Sequence, residues 1–149
     1  MRLKLSTILV CLILIVFPFA LIAQEIQFAI ISDTHVGAKD SVYLSLLRSI
    51  KEDGIGKIIH TGDVINSPGN TYEWKRFLAA QGPQQTIHLA PGNHDITDKE
   101  SFEVYLRFFP KPYYSLSEGD TLFILLNTEL PGEESSIGGK QLLWLEGEL

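Results

Sequence analysis

TIHLAPGNHD, residues 86–95, is the stretch on which the fold turns. Its first half, Thr86–Ala90, is an apolar run of strand length, and Pro91-Gly92 ends it sharply. Behind the break come Asn93, His94 and Asp95, side chains suited to binding metal or moving protons. The arrangement occurs twice more upstream. Ile26–Ile31 leads into Asp33-Thr34-His35, and Lys57–His60 leads into Gly62-Asp63. As parallel strands, the three runs bring three sets of ligand-type residues to one edge of one sheet, where open α/β folds place their ligands.

The intervening segments read as helices. Asp40–Asp53 carries Val42, Leu46, Leu47 and Ile50 near helical spacing, and Asp53-Gly54 stops it. Thr71 is placed to cap a helix through Ala80 that buries Trp74, Phe77 and Leu78. Asp98–Phe109 is a third helix with Phe102, Tyr105, Leu106 and Phe109 on one face, closed by Pro110 and Pro112. The strands are expected at Ile26–Ser32, buried on both faces, at Lys57–Thr61 and at Thr86–Ala90. Beyond them Tyr113–Leu116 and Thr121–Asn127 flank Glu118-Gly119-Asp120 as a hairpin. A last helix starts near Gly139-Lys140 with Leu142, Leu143 and Leu145 in its pattern. It reaches Leu149 without a cap, so the chain reads as the N-terminal portion of a longer domain.

A chain of 149 residues, 45% hydrophobic, can build one packed domain. The formal charge of −6 argues against nucleic-acid binding through a basic patch. Residues 1–23 read as an extra to that domain: Met1–Lys4 is basic, Leu5–Ala23 is almost wholly apolar, and Gln24-Glu25 restores polarity. That is the layout of a signal peptide cleaved after Ala23. Leu21 stands where a small residue is preferred, and about 19 apolar residues nearly span a bilayer, so an uncleaved membrane anchor is the other reading. Either way the chain is expected outside the cytoplasm, periplasmic or extracellular. The membrane enters only through that segment. Cys11, the single cysteine, lies inside it, which leaves residues 24–149 without disulfide or thiol chemistry.

In order and spacing, Asp33-x-His35, Gly62-Asp63 and Gly92-Asn93-His94-Asp95 resemble the calcineurin-like metallophosphoesterase family. Tyr113-Tyr114-Ser115, Phe123–Thr128 and Gln141–Leu145 agree with that resemblance, which covers about residues 26–149. The family's later histidine blocks are absent, since no histidine follows His94. The resemblance implies an α/β sandwich of two sheets flanked by helices, with the second sheet and remaining ligands beyond Leu149. It implies a hydrolase with two divalent metal ions, Fe, Mn or Zn, activating water against a phosphate ester, mono- or diester. The substrate would be a small phosphate ester or a phosphorylated molecule. In that reading Asp63 bridges the ions, Asp33 and His35 complete one side, and Asn93 serves the other. His94 protonates the leaving oxygen or stabilises the phosphoryl charge, and Asp95 holds its ring.

Each residue also has a plainer reading. Asp33 can cap a turn, and Gly62-Asp63 and Gly92-Asn93 can simply be turns. His60 and His88 match no ligand block and read as core or strand-face residues. Trp74, Phe77, Phe102, Phe108 and Phe109 sit at core spacing, and Glu129–Ser136 reads as a solvated loop. What favours the metal site is coincidence: three separate strand ends all bear ligand-type residues. Two other classes compete, a metal-binding protein of the same fold without turnover and a membrane-tethered structural protein.

Overall fold

The computed structural model describes residues 26–149, so the expected signal peptide or anchor over residues 1–23, with Cys11, lies outside the described residues. Three strand–helix pairs come first: β1 (Phe28–Ile31), α1 (Tyr43–Glu52), β2 (Lys57–His60), α2 (Thr71–Ala80), β3 (Thr86–Leu89) and α3 (Lys99–Phe108). Then follow β4 (Tyr114–Glu118), β5 (Thr121–Leu125) and α4 (Gly139–Glu148). Among the described residues no helix is long and apolar enough to cross a membrane.

The first three strands form a parallel sheet in the order β1-β2-β3. Ala29, Ile58 and Ile87 stand in one row of its register, and Ile31, His60 and Leu89 in the next. These rows face the apolar core, which α1 supplies with Tyr43, Leu47 and Ile50 and α2 with Trp74 and Phe77. Sequential strand order with right-handed crossovers puts both helices on the same face, and that is where the shared core forms. Tyr105, Phe108 and Phe109 stack around Trp74 at 5.5–6.1 Å and extend the core under α3. The aromatic residues at helical spacing are core, as their pattern implied.

The opposite face carries Phe28, Lys57, Ile59 and His88. The antiparallel pair β4-β5 forms the second sheet and meets this face through side chains. Phe123 packs on Phe28 at 4.6 Å, Glu118 pairs with Lys57, and the Tyr114 hydroxyl accepts from Leu89 N–H at 3.0 Å. The second sheet was expected beyond Leu149; it already begins with this hairpin. β1 differs from the expectation of burial on both faces. It is an edge strand, and Ile30 is 69% exposed because no described element covers it.

Helix boundaries moved for tertiary reasons. α1 starts at Tyr43 because Ser41 is engaged elsewhere, its hydroxyl donating to Thr34 O at 2.6 Å. Its buried face is Tyr43, Leu47 and Ile50, and Val42 points outward. The cap of α2 is Asn70, not Thr71; its side chain accepts from Tyr72 and Glu73 N–H. Leu78 and Leu143 are exposed, not core. α4 instead buries Gln141, whose amide accepts from Asn127 N–H at 2.8 Å and donates to Asn127 O at 2.9 Å.

Candidate metal centre

Each strand of the parallel sheet ends in a turn, and the turns continue the ladder beyond the strands. Asp33 N–H donates to Gly62 O at 3.0 Å, His35 N–H to Asp63 O at 3.1 Å and Val36 N–H to Val64 O at 2.7 Å. The β1 and β2 loops are thus zipped together along their length. The third loop closes on the second by contact. A Cβ on Gly92 would lie 2.3 Å from Asp63 Oδ1, and one on Gly62 would lie 2.8 Å from Gly92 N. Only glycine permits that approach.

Four non-glycine residues have a left-handed backbone among the described residues: Asp33, His35, Asp63 and Ser135. Three of them are expected metal ligands. Such a conformation costs about 1–2 kcal/mol per residue, and persists where the surroundings over-determine it, commonly at functional sites. The result is convergence. Carboxylate oxygens of Asp33 and Asp63 and a ring nitrogen of His35 lie within 4.8 Å of one another. His35 leaves Nδ1 buried with no hydrogen-bond partner among the described residues, and the donor set of two carboxylates and an imidazole fits a divalent ion.

His94 joins the cluster. Its N–H donates to Asp63 Oδ1 at 3.0 Å, and its ring meets that of His35 edge-on at 4.6 Å. Asn93, exposed, stands on the same turn between Gly92 and His94. The ring of His94 is not held by Asp95, contrary to expectation. Its Nδ1 donates to Asn66 O at 3.0 Å, since a carbonyl can only accept. Asp95 faces away into the protein, fully buried. Its Oδ1 accepts from Val64 and Ile65 N–H at 3.0 and 3.1 Å, and its Oδ2 from Gly92 N–H at 2.9 Å. Burial pushes its carboxyl up to about 7, against the three N–H donors that pull it down. It staples the β2 loop to the β3 loop.

His60, read from sequence as a core histidine, is one, fully buried. It also has a polar task, because Nε2 meets Thr34 Oγ1 at 2.9 Å, between the two ligands of the first loop. Burial pushes its imidazole down to about 4, partly countered by Asp33. The unfolded chain takes up this proton near 6.5, so it binds more protons than the folded chain between those values. The His60 contribution to stability therefore falls as pH drops through that window, by about 2–3 kcal/mol at pH 4.5, while Asp95, raised to about 7, contributes in the opposite direction over much of the same range. Urea unfolding at pH 7 and 4.5 checks it: His60→Gln should lose that share of the pH dependence, and a slope identical to wild type counts against it.

Sequence reasoning missed Glu73, buried on α2 with its carboxylate on the β2 loop. The Asn70-x-x-Glu73 spacing was the available signal. The 129–136 loop borders a cleft of about 640 Å³ that Lys99, Tyr113 and Lys140 also line, but none of the metal cluster does.

A parallel sheet that gathers Asp, His and Asp at its carboxyl edge defines an α/β protein with a group of side chains able to hold a divalent ion. The chain belongs to the calcineurin-like phosphoesterase family, whose profile matches residues 26–147. The family implies divalent metal ions, and Asp33, His35 and Asp63 form the group able to hold one. A purple acid phosphatase isolated from yellow lupin (Lupinus luteus) seeds has a similar fold, with a TM-score of 0.61 at 18% identity. The similarity covers 80% of this chain and 26% of that one, so the chain spans about a quarter of that protein's length. No curated protein matches the sequence.

Proposed function

We propose that this chain carries the ligand-bearing part of a metal-dependent phosphoesterase, working on a phosphate-ester small molecule or a phosphorylated substrate. The observation that carries it is the convergence of Asp33, His35 and Asp63, all on left-handed backbone, with His94 against His35. Asp33, His35, Asp63 and Asn93 are assigned as the residues that would hold two divalent ions, Fe, Mn or Zn, with Asp63 as the central carboxylate among them. When bound, the ions supply a nucleophile from water at neutral pH and neutralise charge on the phosphoryl oxygens. The remaining work falls to the chain. Asp63 Oδ1 fixes the backbone of His94, and Asn66 O fixes its ring through Nδ1–H, which leaves Nε2 as the free face. In the protonated ring, Nε2–H is the donor for the leaving oxygen. The exported location, delivered by residues 1–23, is part of the same proposal.

The test uses the full-length protein, phosphate esters with leaving groups of differing pKa, and metal analysis. Chelation should abolish hydrolysis and metal restore it. His94→Ala should keep its metals and lose about 10²–10⁴-fold in rate for poor leaving groups, but less for nitrophenolate, which needs no proton. Full activity after exhaustive chelation, with no metal left, would sink the proposal; a defect in His94→Ala equal for all leaving groups would remove the acid role.

A further inference from the structure

Glu73 is 7% exposed, yet among the described residues no cation pairs with it. Glutamate is rarely buried unless its charge is compensated. Its place in the helix makes this sharper. Glu73 stands three residues after the Asn70 cap, where a glutamate ordinarily turns back to bond the cap's own N–H. Here that N–H donates to Ser67 O at 3.0 Å, and the Glu73 carboxylate reaches outward. Its Oε2 accepts from Ser67 N–H at 2.8 Å, the N–H of the same peptide as the Asn66 carbonyl, and from Asn66 N–H at 3.0 Å, which Val36 O shares at 3.2 Å. The positive end of the α2 dipole favours the negative charge at this position.

Both contacts lead to the metal centre. Asn66 lies three residues beyond Asp63, and its carbonyl is the acceptor for His94 Nδ1–H. The other flank of the carboxylate presses on the first ligand loop: a Cβ on Gly37, two residues after His35, would lie 2.3 Å from Oε1. Glu73 is thus wedged between the loop of Asp33 and His35 and the loop of Asp63.

We infer that Glu73 is a positioning residue for His94, fixing the Asn66 peptide whose carbonyl sets the orientation and tautomer of the His94 ring. The inference rests on the phosphoesterase reading for its kinetic consequence but not for its geometry. A loose Asn66 peptide leaves the His94 ring free to rotate and to carry its proton on either nitrogen. Proton donation to a leaving group then suffers, while the metal shell, built from Asp33, His35 and Asp63, stays intact.

The experiment compares wild type, Glu73→Ala and Glu73→Gln as full-length, Zn²⁺-loaded, ¹⁵N-labelled proteins. Imidazole ¹H–¹⁵N spectra at fixed pH read the His94 tautomer, and turnover is measured across leaving groups. Wild type should hold one tautomer, with the proton on Nδ1. Glu73→Ala should populate both, keep its zinc, and lose roughly 10–100-fold on poor leaving groups with little change for nitrophenolate. Glu73→Gln, whose amide oxygen can still accept both N–H groups, should recover most of both signals. A wild-type tautomer and rate pattern in Glu73→Ala overturns the inference, as does loss of zinc with an equal defect for every leaving group. If Glu73→Ala does not fold, amide exchange in wild type decides: Ser67, whose N–H donates to Glu73, protected to the level of the core supports the anchor, and exchange at free-loop rates overturns it. A wild type that holds the single tautomer but hydrolyses no ester refutes the proposed function and leaves the Glu73 geometry standing.

Discussion

Asp63→Asn should leave the fold of the chain intact and remove its metal chemistry. The substitution is well isolated by the geometry. Asparagine tolerates the left-handed conformation of residue 63, whose φ is 56°, as readily as aspartate does. Its amide oxygen can replace Oδ1 as acceptor for His94 N–H. What disappears is one of the two carboxylate charges in the group able to hold a divalent ion. Several kcal/mol of transition-state stabilisation depend on ions held in place, so the rate should fall by about 10³-fold or more, with fewer ions retained per chain. Metal stoichiometry beside turnover, with metal-free unfolding as control, checks it. Undiminished metal content would take the ligand role away from Asp63.

Asp95 should show the opposite signature, a large loss of stability. Three backbone N–H groups from two loops converge on its carboxylate in a fully buried position. Asp95→Ala leaves all three without an acceptor, each at about 1–3 kcal/mol, which is comparable to the whole stability of many domains. Asp95→Asn should be intermediate. One oxygen can keep Val64 and Ile65, but the new NH₂ then confronts Gly92 N–H. Denaturant unfolding of the metal-free proteins should rank wild type above Asn above Ala, and a midpoint for Asp95→Ala equal to wild type would rule out the staple.

Those two cases also mark where the sequence could be read and where it could not. Asp63, Asp33 and His35 were legible because each ligand directly follows a short apolar run, so strand, turn and ligand fall within about ten residues. Asp95 was placed near the site correctly, but its partners were not. Val64 and Ile65 lie 30 or so residues earlier, and no local pattern specifies which way a buried side chain turns. Ser41 is a similar case. Its hydroxyl is taken by Thr34 O, and α1 begins two residues after it, at Tyr43, whatever the helical periodicity of its neighbours. Helix existence followed from the spacing of apolar residues; helix ends and faces answered to tertiary partners, as Val42, Leu78 and Leu143 illustrate by pointing outward.

The left-handed backbone at Asp33, His35 and Asp63 also limits the alphabet in which such a centre can be written. A saturation library at these positions is screened twice, once for donor atoms and once for a positive φ. Aspartate, asparagine and histidine pass the second screen better than most residues, and glycine passes it but offers no donor. Glutamate has the donor atoms but not the tolerance, and its extra methylene would move the carboxylate away from a ring of atoms only 4.8 Å across. The short vocabulary of the first two clusters is therefore a property of the turns as much as of the ions, and variants recovered there by selection for metal binding should stay within it even where the charge could be supplied by other means.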